Sequence, residues 1–283
     1  MRINTNTAAM NTYSQLTSAN ASKSSSLAKL SSGLRINKAG DDAAGLAISE
    51  KMKNQISGMN QASRNAQDGI SLIQTAEGGL TETHSILNRM RDLAVQSKND
   101  TNTDEDRGAI QKEMDSLTKE VDRIANQTEF NGKKLLTADD GTSGTSFTFQ
   151  IGANKGQDIT LSISNMTASE LGVGTGTGDT MTGPDVSTAA ADFDQVIEDL
   201  DTAISSVSTE RANLGATQNR LDHTVSNLAT TKENLSEANS RITDVDMAEE
   251  MMSFTKSNIL SQASTAMLAQ ANQMPQGVLQ LLQ

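Results

Sequence analysis

From Ala43 to Val95 the chain contains no proline, and apolar residues recur at Leu46, Met52, Ile56, Met59, Ala66, Ile70, Ile73, Leu80, Leu87 and Met90. Steps of three and four residues place these on one stripe of an α-helix. A helix of about 50 residues at ~1.5 Å rise is roughly 75 Å long, even with an interruption near Gly78-Gly79. Short local elements cannot cover such a stripe, so other long helices must lie along it. The pattern returns after Phe193, where Ile197, Leu200, Ile204, Val207, Leu214, Leu221, Val225, Leu228, Leu235 and Ile242 keep a heptad frame, with Arg211, Gln218, Lys232 and Asn239 as its polar members. The two stretches are predicted to pack along a seam that includes Ile56, Ile70, Ile73, Leu80, Leu87, Leu214, Leu221, Val225, Leu228 and Leu235.

Between them the rhythm changes twice. A polar turn at 99–103 separates the first helix, which should end near Gln96-Ser97, from a second with Ile110, Met114, Leu117, Val121 and Ile124 at alternating four- and three-residue steps. Asn131-Gly132 marks a turn. Ser146-Phe-Thr-Phe-Gln-Ile151 and Asp158-Ile-Thr-Leu-Ser-Ile163 alternate polar and apolar residues, the pattern of half-buried strands joined as a hairpin. Gly172 to Pro184 is Gly/Thr-rich without periodicity and reads as an exposed loop. At the ends, residues 1–32 and the Met-, Ala- and Gln-rich segment from Asp244 onward carry only thin amphipathic patterns. Alone in water each offers too little apolar surface to offset its ordering entropy.

Composition agrees with thin helix–helix seams rather than a thick core, since aromatic residues make up only 2% of the chain. A net charge of −12 argues against a nucleic-acid partner, which requires a basic face. No apolar run approaches the ~20 residues of a membrane span, so no membrane insertion is expected. The N-terminal residues lack the continuous apolar stretch of a secretory signal peptide, which leaves cytosolic residence or export without cleavage. Without cysteine there are no disulfides or thiolate metal sites.

One set of motifs goes further than periodicity. Leu30-Ser-Ser-Gly-Leu-Arg-Ile-Asn37, Asp41-Asp-Ala-Ala-Gly45, Gln61-Ala-Ser-Arg-Asn-Ala66, Asp68-Gly-Ile70, Arg89-Met-Arg-Asp-Leu-Ala-Val-Gln96, Gln127-Thr-Glu-Phe-Asn-Gly132, Asn234-Leu-Ser236, Ser240-Arg-Ile-Thr-Asp244 and Leu268-Ala-Gln-Ala-Asn-Gln273 with Pro275 occur in this order. Together they closely resemble bacterial flagellin across all but roughly residues 165–190. Flagellins usually carry variable outer domains in that gap, so the resemblance implies a minimal form without them.

The expected fold is mainly α: long antiparallel helices in a coiled-coil-like rod, a small β-hairpin, and a terminal two-helix pair. The expected division is 1–42 with 241–283 as the terminal pair, 43–168 with 186–240 as the rod, and 169–185 as a short variable loop. The resemblance implies a self-polymerising subunit of the flagellar filament, located outside the cell and exported unfolded. Its implied partners are other copies of itself, an export chaperone, and cap and junction proteins. The terminal pair would form the filament's inner core and stay disordered in the monomer, with Leu27, Leu30, Leu34, Ile259 and Leu268 as assembly residues. Arg89, Leu93 and Glu113 match positions through which receptor-activating flagellins contact host Toll-like receptor 5. On pattern alone the three are a solvated base, a core residue and a surface acid. A hook–filament junction protein and a cytosolic coiled-coil adaptor remain as alternatives.

No nucleophile motif, phosphate-cradling loop or cofactor fingerprint is present, so neither enzyme activity nor a cofactor is expected. His84 and His223 are the only histidines and do not form a zinc motif; His84 reads as a helix-seam residue. Asp100–Asp106 imitates an EF-hand opening, but Glu105 and Gln111 stand where Gly and Glu are required. Asn126-Gln-Thr128 fits a glycosylation sequon by three residues only.

Overall fold

A computed structural model of the chain describes residues 6–137, 144–176, 178–188 and 192–281, without the side chains of 179 and 274–281. The outermost residues of the expected terminal pair (1–5 and 282–283) and residue 177 of the Gly/Thr-rich run therefore lie outside the described residues. The helices are α1 (Thr7–Ser32), α2 (Ala43–Ser97), α3 (Asp104–Gln127), α4 (Phe193–Thr243) and α5 (Met247–Leu281). Strands β1 (Glu129–Phe130) and β2 (Lys133–Lys134) form one antiparallel pair; β3 (Thr145–Gln150) and β4 (Asp158–Ile163) form another. The fold is mainly α, as the periodicity predicts.

The chain divides into two compact units, residues 57–232 and residues 1–56 with 233–283. In the first, α2 supplies Ile73, Leu80, Leu87, Met90 and Leu93 to one continuous core. Met114 and Val121 of α3 join them, with Leu200, Val207, Leu214 and Leu221 of α4. Each such side chain contributes about 1.5–3 kcal/mol by leaving water. The β3–β4 hairpin adds Phe147, Ile159, Leu161 and Ile163 from its inward face, which is why its sequence alternates. Of the predicted seam in this unit, Ile73, Leu80, Leu87, Leu214 and Leu221 are fully buried, while Ile70, Val225 and Leu228 are half-buried. Gly78-Gly79 does not interrupt α2. A Cβ on Gly79 would stand 3.0 Å from Leu136 Cδ1 and 2.9 Å from Thr128 Oγ1, so this glycine admits the segment after α3 rather than breaking the helix.

The α2–α3 corner is held by a buried cation. Arg107 Nε donates to the Ser97 carbonyl at 3.0 Å, and its guanidinium lies 5.7 Å from the Phe193 ring centroid. The acids that imitate a calcium loop have other roles. Asp106 and Thr103 form a reciprocal capping box at the start of α3, and Asp100 and Asp104 stand within 3.8 Å and 3.7 Å of Arg107. The Asp106 carboxyl is held below the usual carboxylate range by the Thr103 hydroxyl and then by the Thr103 N–H.

One expectation is corrected. The Gly/Thr-rich run is not simply an exposed loop, because Val173 and Met181 are buried in the core. A short 3-10 turn at Gly178–Thr180 and a bridge between Thr175 and Thr182 fold it back on itself. Its far end is pinned by Gly183 N–H to Asp115 (2.9 Å) and Val186 N–H to Gln111 (2.7 Å). Isolated apolar residues among glycines have no period to betray their burial; tertiary packing against α3 decides it.

Candidate functional site

The unit built from residues 1–56 and 233–283 is organised around α1 and α5, which run antiparallel. Cross-links fix their register: Asn6 Nδ2 to the Ala271 carbonyl (2.8 Å), Ser261 Oγ to Asn20 Oδ1 (2.9 Å), Lys23 Nζ to Asn258 Oδ1 (2.9 Å) and Lys29 Nζ to Glu250 (3.7 Å). The buried residues between the helices are small: Ala19 and Ser26 on α1, and Ser257, Ser264 and Ala271 on α5. They recur every seven residues, one heptad position per helix. Small side chains let the backbones approach, and Cα atoms of α1 and α5 repeatedly come within 8 Å of each other.

The corner beside this pair is built from two of the quoted motifs. Gly33 caps α1 through its N–H to the Lys29 carbonyl (2.8 Å). Leu34 then bridges Asp244, with Arg35 N–H donating to the Thr243 carbonyl (2.6 Å) and Val245 N–H to the Gly33 carbonyl (3.1 Å). So Leu30–Asn37 and Ser240–Asp244, distant in sequence, pair in space. Asp41 accepts the N–H groups of Lys38 (2.9 Å) and Asn37 (3.1 Å), which hold its carboxyl below the usual range. Asp42 accepts the Gly45 N–H at 2.8 Å and starts α2. A Cβ on Gly45 would stand 2.5 Å from Asp42 Oδ2 and 2.7 Å from Cδ1 of the buried Ile36, so a larger residue would have to displace the Asp42 cap or the Ile36 side chain.

Most of the large apolar side chains described on the pair point outward. Met10, Tyr13 and Leu27 on α1 are exposed, as are Met247, Met251, Met252, Ile259, Leu260 and Met267 on α5; Met252 reaches 67% and Ile259 61% exposure. Outside this unit the described residues expose only Val95 to a comparable degree. Of the predicted assembly residues, Leu27 and Ile259 are thus exposed, while Leu30, Leu34 and Leu268 are half-buried. The seam residues Ile56 and Leu235, which belong to this unit, are also half-buried. Sequence reasoning missed the small-residue seam, although its seven-residue spacing was legible.

A second cluster lies in the other unit. Arg89 of α2 donates through Nε (3.0 Å) and Nη2 (2.8 Å) to Glu113 Oε1 of α3, both side chains remaining about half exposed. Leu93 lies inside, 2% exposed. The structure therefore brings Arg89 and Glu113 together at the surface and places Leu93 beneath it. His84 is half-buried and meets Asn88 one turn on, at 3.1 Å from Nδ1; His223 is exposed. Among the described residues no cluster of His, Cys, Asp or Glu could hold a metal ion, and no helix is long and apolar enough to cross a membrane. The grooves of the bundle unit are open surface features lined mainly by hydroxyls, amides and carboxylates.

Comparison with known proteins gives this geometry its family. Residues 3–140 match the bacterial flagellin N-terminal helical region, and residues 197–282 match the bacterial flagellin C-terminal helical region. The chain belongs to the bacterial flagellins. Flagellin of Bacillus subtilis (strain 168) is 54% identical over 306 residues, with all of both chains covered. The flagellar filament 33 kDa core protein of Treponema phagedenis is 48% identical over 288 residues, again with full coverage of both. The crystal structure of Bacillus cereus flagellin is 35% identical, covers 58% of this chain and 88% of that one, and superposes with a TM-score of 0.49. Only residues 141–196 separate the two matched regions, and this flagellin has no large outer domains there.

Proposed function

We propose that this flagellin is the repeating subunit of a flagellar filament and polymerises through the outward faces of α1 and α5. The observation that carries the reading is the concentration of large exposed apolar side chains on that one helix pair. Large exposed apolar side chains concentrated on one element mark an interaction site, and the flagellin family supplies the partner, a further copy of the chain. Head-to-tail contacts that do not close a ring generate an open helical polymer. The role is structural rather than catalytic, with no cofactor. The subunit reaches the cell exterior unfolded, escorted by an export chaperone, and meets cap and junction proteins at the filament ends. Before assembly the terminal segments are disordered; neighbouring copies order them, which couples folding to polymerisation.

Purified monomer should elongate sheared filament ends, while deletion of 1–32 or 245–283 should leave a soluble helical protein that does not sediment as polymer. Mass spectrometry of sheared surface filaments should find the chain along their whole length. Its restriction to the hook end would instead make it a junction protein, and a purely cytosolic location would make it an adaptor.

The monomer is also a ligand of Toll-like receptor 5, through the Arg89–Glu113 pair. A guanidinium offers planar, multi-donor contacts that Lys cannot reproduce, and Leu93 supports that face from within the bundle. Arg89→Ala should weaken signalling in a reporter-cell titration by about 30-fold, as expected for ~2 kcal/mol lost at an interface centre. An unchanged dose–response curve would remove Arg89 from the contact.

A further inference from the structure

The methionines divide by unit. In the bundle Met59, Met90, Met114, Met166 and Met181 are buried, each no more than 5% exposed. On the terminal pair Met10, Met247, Met251, Met252 and Met267 are exposed, all by 49% or more. The chain has no cysteine, so thioethers are its only sulfur. Susceptibility of a thioether to oxidants follows its exposure, and the sulfoxide is polar where the thioether was apolar. Among the described residues the same five side chains are therefore the most exposed thioethers, ahead of the half-buried Met52, and a large share of the apolar assembly face. Their neighbours on that face, Leu27, Ile259 and Leu260, carry no group that a peroxide oxidises under the same conditions.

We propose that Met10, Met247, Met251, Met252 and Met267 are oxidative modification sites whose conversion to sulfoxides blocks self-association, and that incorporation into polymer shields them. The inference rests on the reading of α1 and α5 as the assembly surface. In the step itself the thioether sulfur attacks one oxygen of hydrogen peroxide. An S–O bond forms as the O–O bond breaks, sulfur gives up two electrons, and the departing oxygen leaves as water after taking the proton of the transferred one. A sulfoxide buried against a neighbouring subunit must shed its hydration without an assured donor, which opposes contact. Methionine sulfoxide reductases, one per epimer, reverse the change. Buried bundle methionines stay reduced, so the fold of that unit is untouched while assembly is lost.

The test uses the full-length monomer treated with dilute hydrogen peroxide. Peptide mass spectrometry should find a gain of about 16 Da at each of the five sites before any at the bundle methionines. Circular dichroism should be unchanged, and the concentration needed to elongate filament seeds should rise by at least about tenfold. Reduction by the paired reductases should restore it. Preassembled filaments should take up oxygen at these sites several-fold more slowly. In a variant with all five changed to Leu, peroxide treatment should leave elongation at the level the untreated variant shows. Oxidised wild type that elongates like untreated protein overturns the inference, as does loss of elongation on peroxide in the five-Leu variant. Equal oxidation rates in filament and monomer overturn the shielding. If the five-Leu variant fails to elongate even untreated, the reductase arm decides: reduction of the sulfoxides without recovery of elongation overturns the inference. Untreated wild type that never elongates seeds rejects the assembly reading itself.

Discussion

The two units solve the problem of packing long helices in opposite ways. In the bundle, Leu80, Leu87, Leu200 and Leu214 point inward and are wholly buried. In the α1–α5 pair, alanines and serines point inward, while Leu27, Ile259, Leu260 and five methionines are exposed and Leu16, Leu30 and Leu268 are half-buried. The first arrangement stabilises the unit by itself, since each buried leucine removes its own apolar area from water. The second gives a close backbone fit but leaves most apolar area wet, and so draws its stability from whatever covers it. For a subunit that assembles through α1 and α5, as proposed, the two arrangements are complementary: one unit is held by its own core, the other by whatever covers it.

Substitutions in each unit test this contrast. The largest effect is expected from Ile259→Ser combined with Leu260→Ser. Polymerisation should be abolished, with sedimentation showing monomer only, while the thermal melt of the monomer stays within about 0.5 kcal/mol of wild type because both side chains are already exposed. Loss of monomer stability comparable to the core changes would show that these residues pack within the subunit.

Next is Leu214→Ala. Removing a wholly buried leucine should cost about 2–5 kcal/mol by denaturant titration. Leu228→Ala, at a half-buried position, should cost clearly less than that. Equal costs would mean the seam is as tight past Leu221 as before it.

In the terminal pair the direction reverses, and the damaging change is an enlargement. In the assembled filament, where the pair is ordered, Ser264→Leu forces extra volume into the small-residue seam and should destabilise the pair by about 1–3 kcal/mol. Hydrogen exchange would show faster exchange confined to α1 and α5. A neutral or stabilising result would mean the seam has room for larger side chains.

The smallest effect concerns acid. Asp41 in one unit and Asp106 in the other have folded-state carboxyl pKa values below the usual range, Asp41 through the N–H groups of Lys38 and Asn37 and Asp106 through the Thr103 hydroxyl and N–H. A depressed folded value means that each contribution is complete above the unfolded carboxylate pKa of about 3.9 and is lost as pH falls through the lower folded value. Melting temperature should therefore change little on this account between pH 7 and about 4.5 and fall below that. Asp106→Asn should remove part of the acid-dependent fall; an unaltered acid limb would show that other carboxylates govern it.

Much of this was legible in the chain. The α2 stripe, the heptads of α4 and the β3–β4 alternation follow from periods of 3.6 and 2 acting on apolar side chains, and those periods depend only on local backbone geometry. The Asp42 cap of α2 is equally local, because capping uses groups a few residues apart. Pattern alone left other features open. That Val173 and Met181 are buried follows from α3 lying beside them, and no local period records it. That Leu27 and Ile259 face water while Ser26 and Ser264 are buried against the partner helix depends on which side of each helix its partner takes. The sequence shows two weak amphipathic segments; their pairing decides that the weaker face becomes the seam and the stronger one remains for another molecule. Arg89 and Glu113 likewise become neighbours only because α3 returns along α2. Local chemistry determines which elements form, and the juxtaposition of distant elements determines which surfaces are left to act.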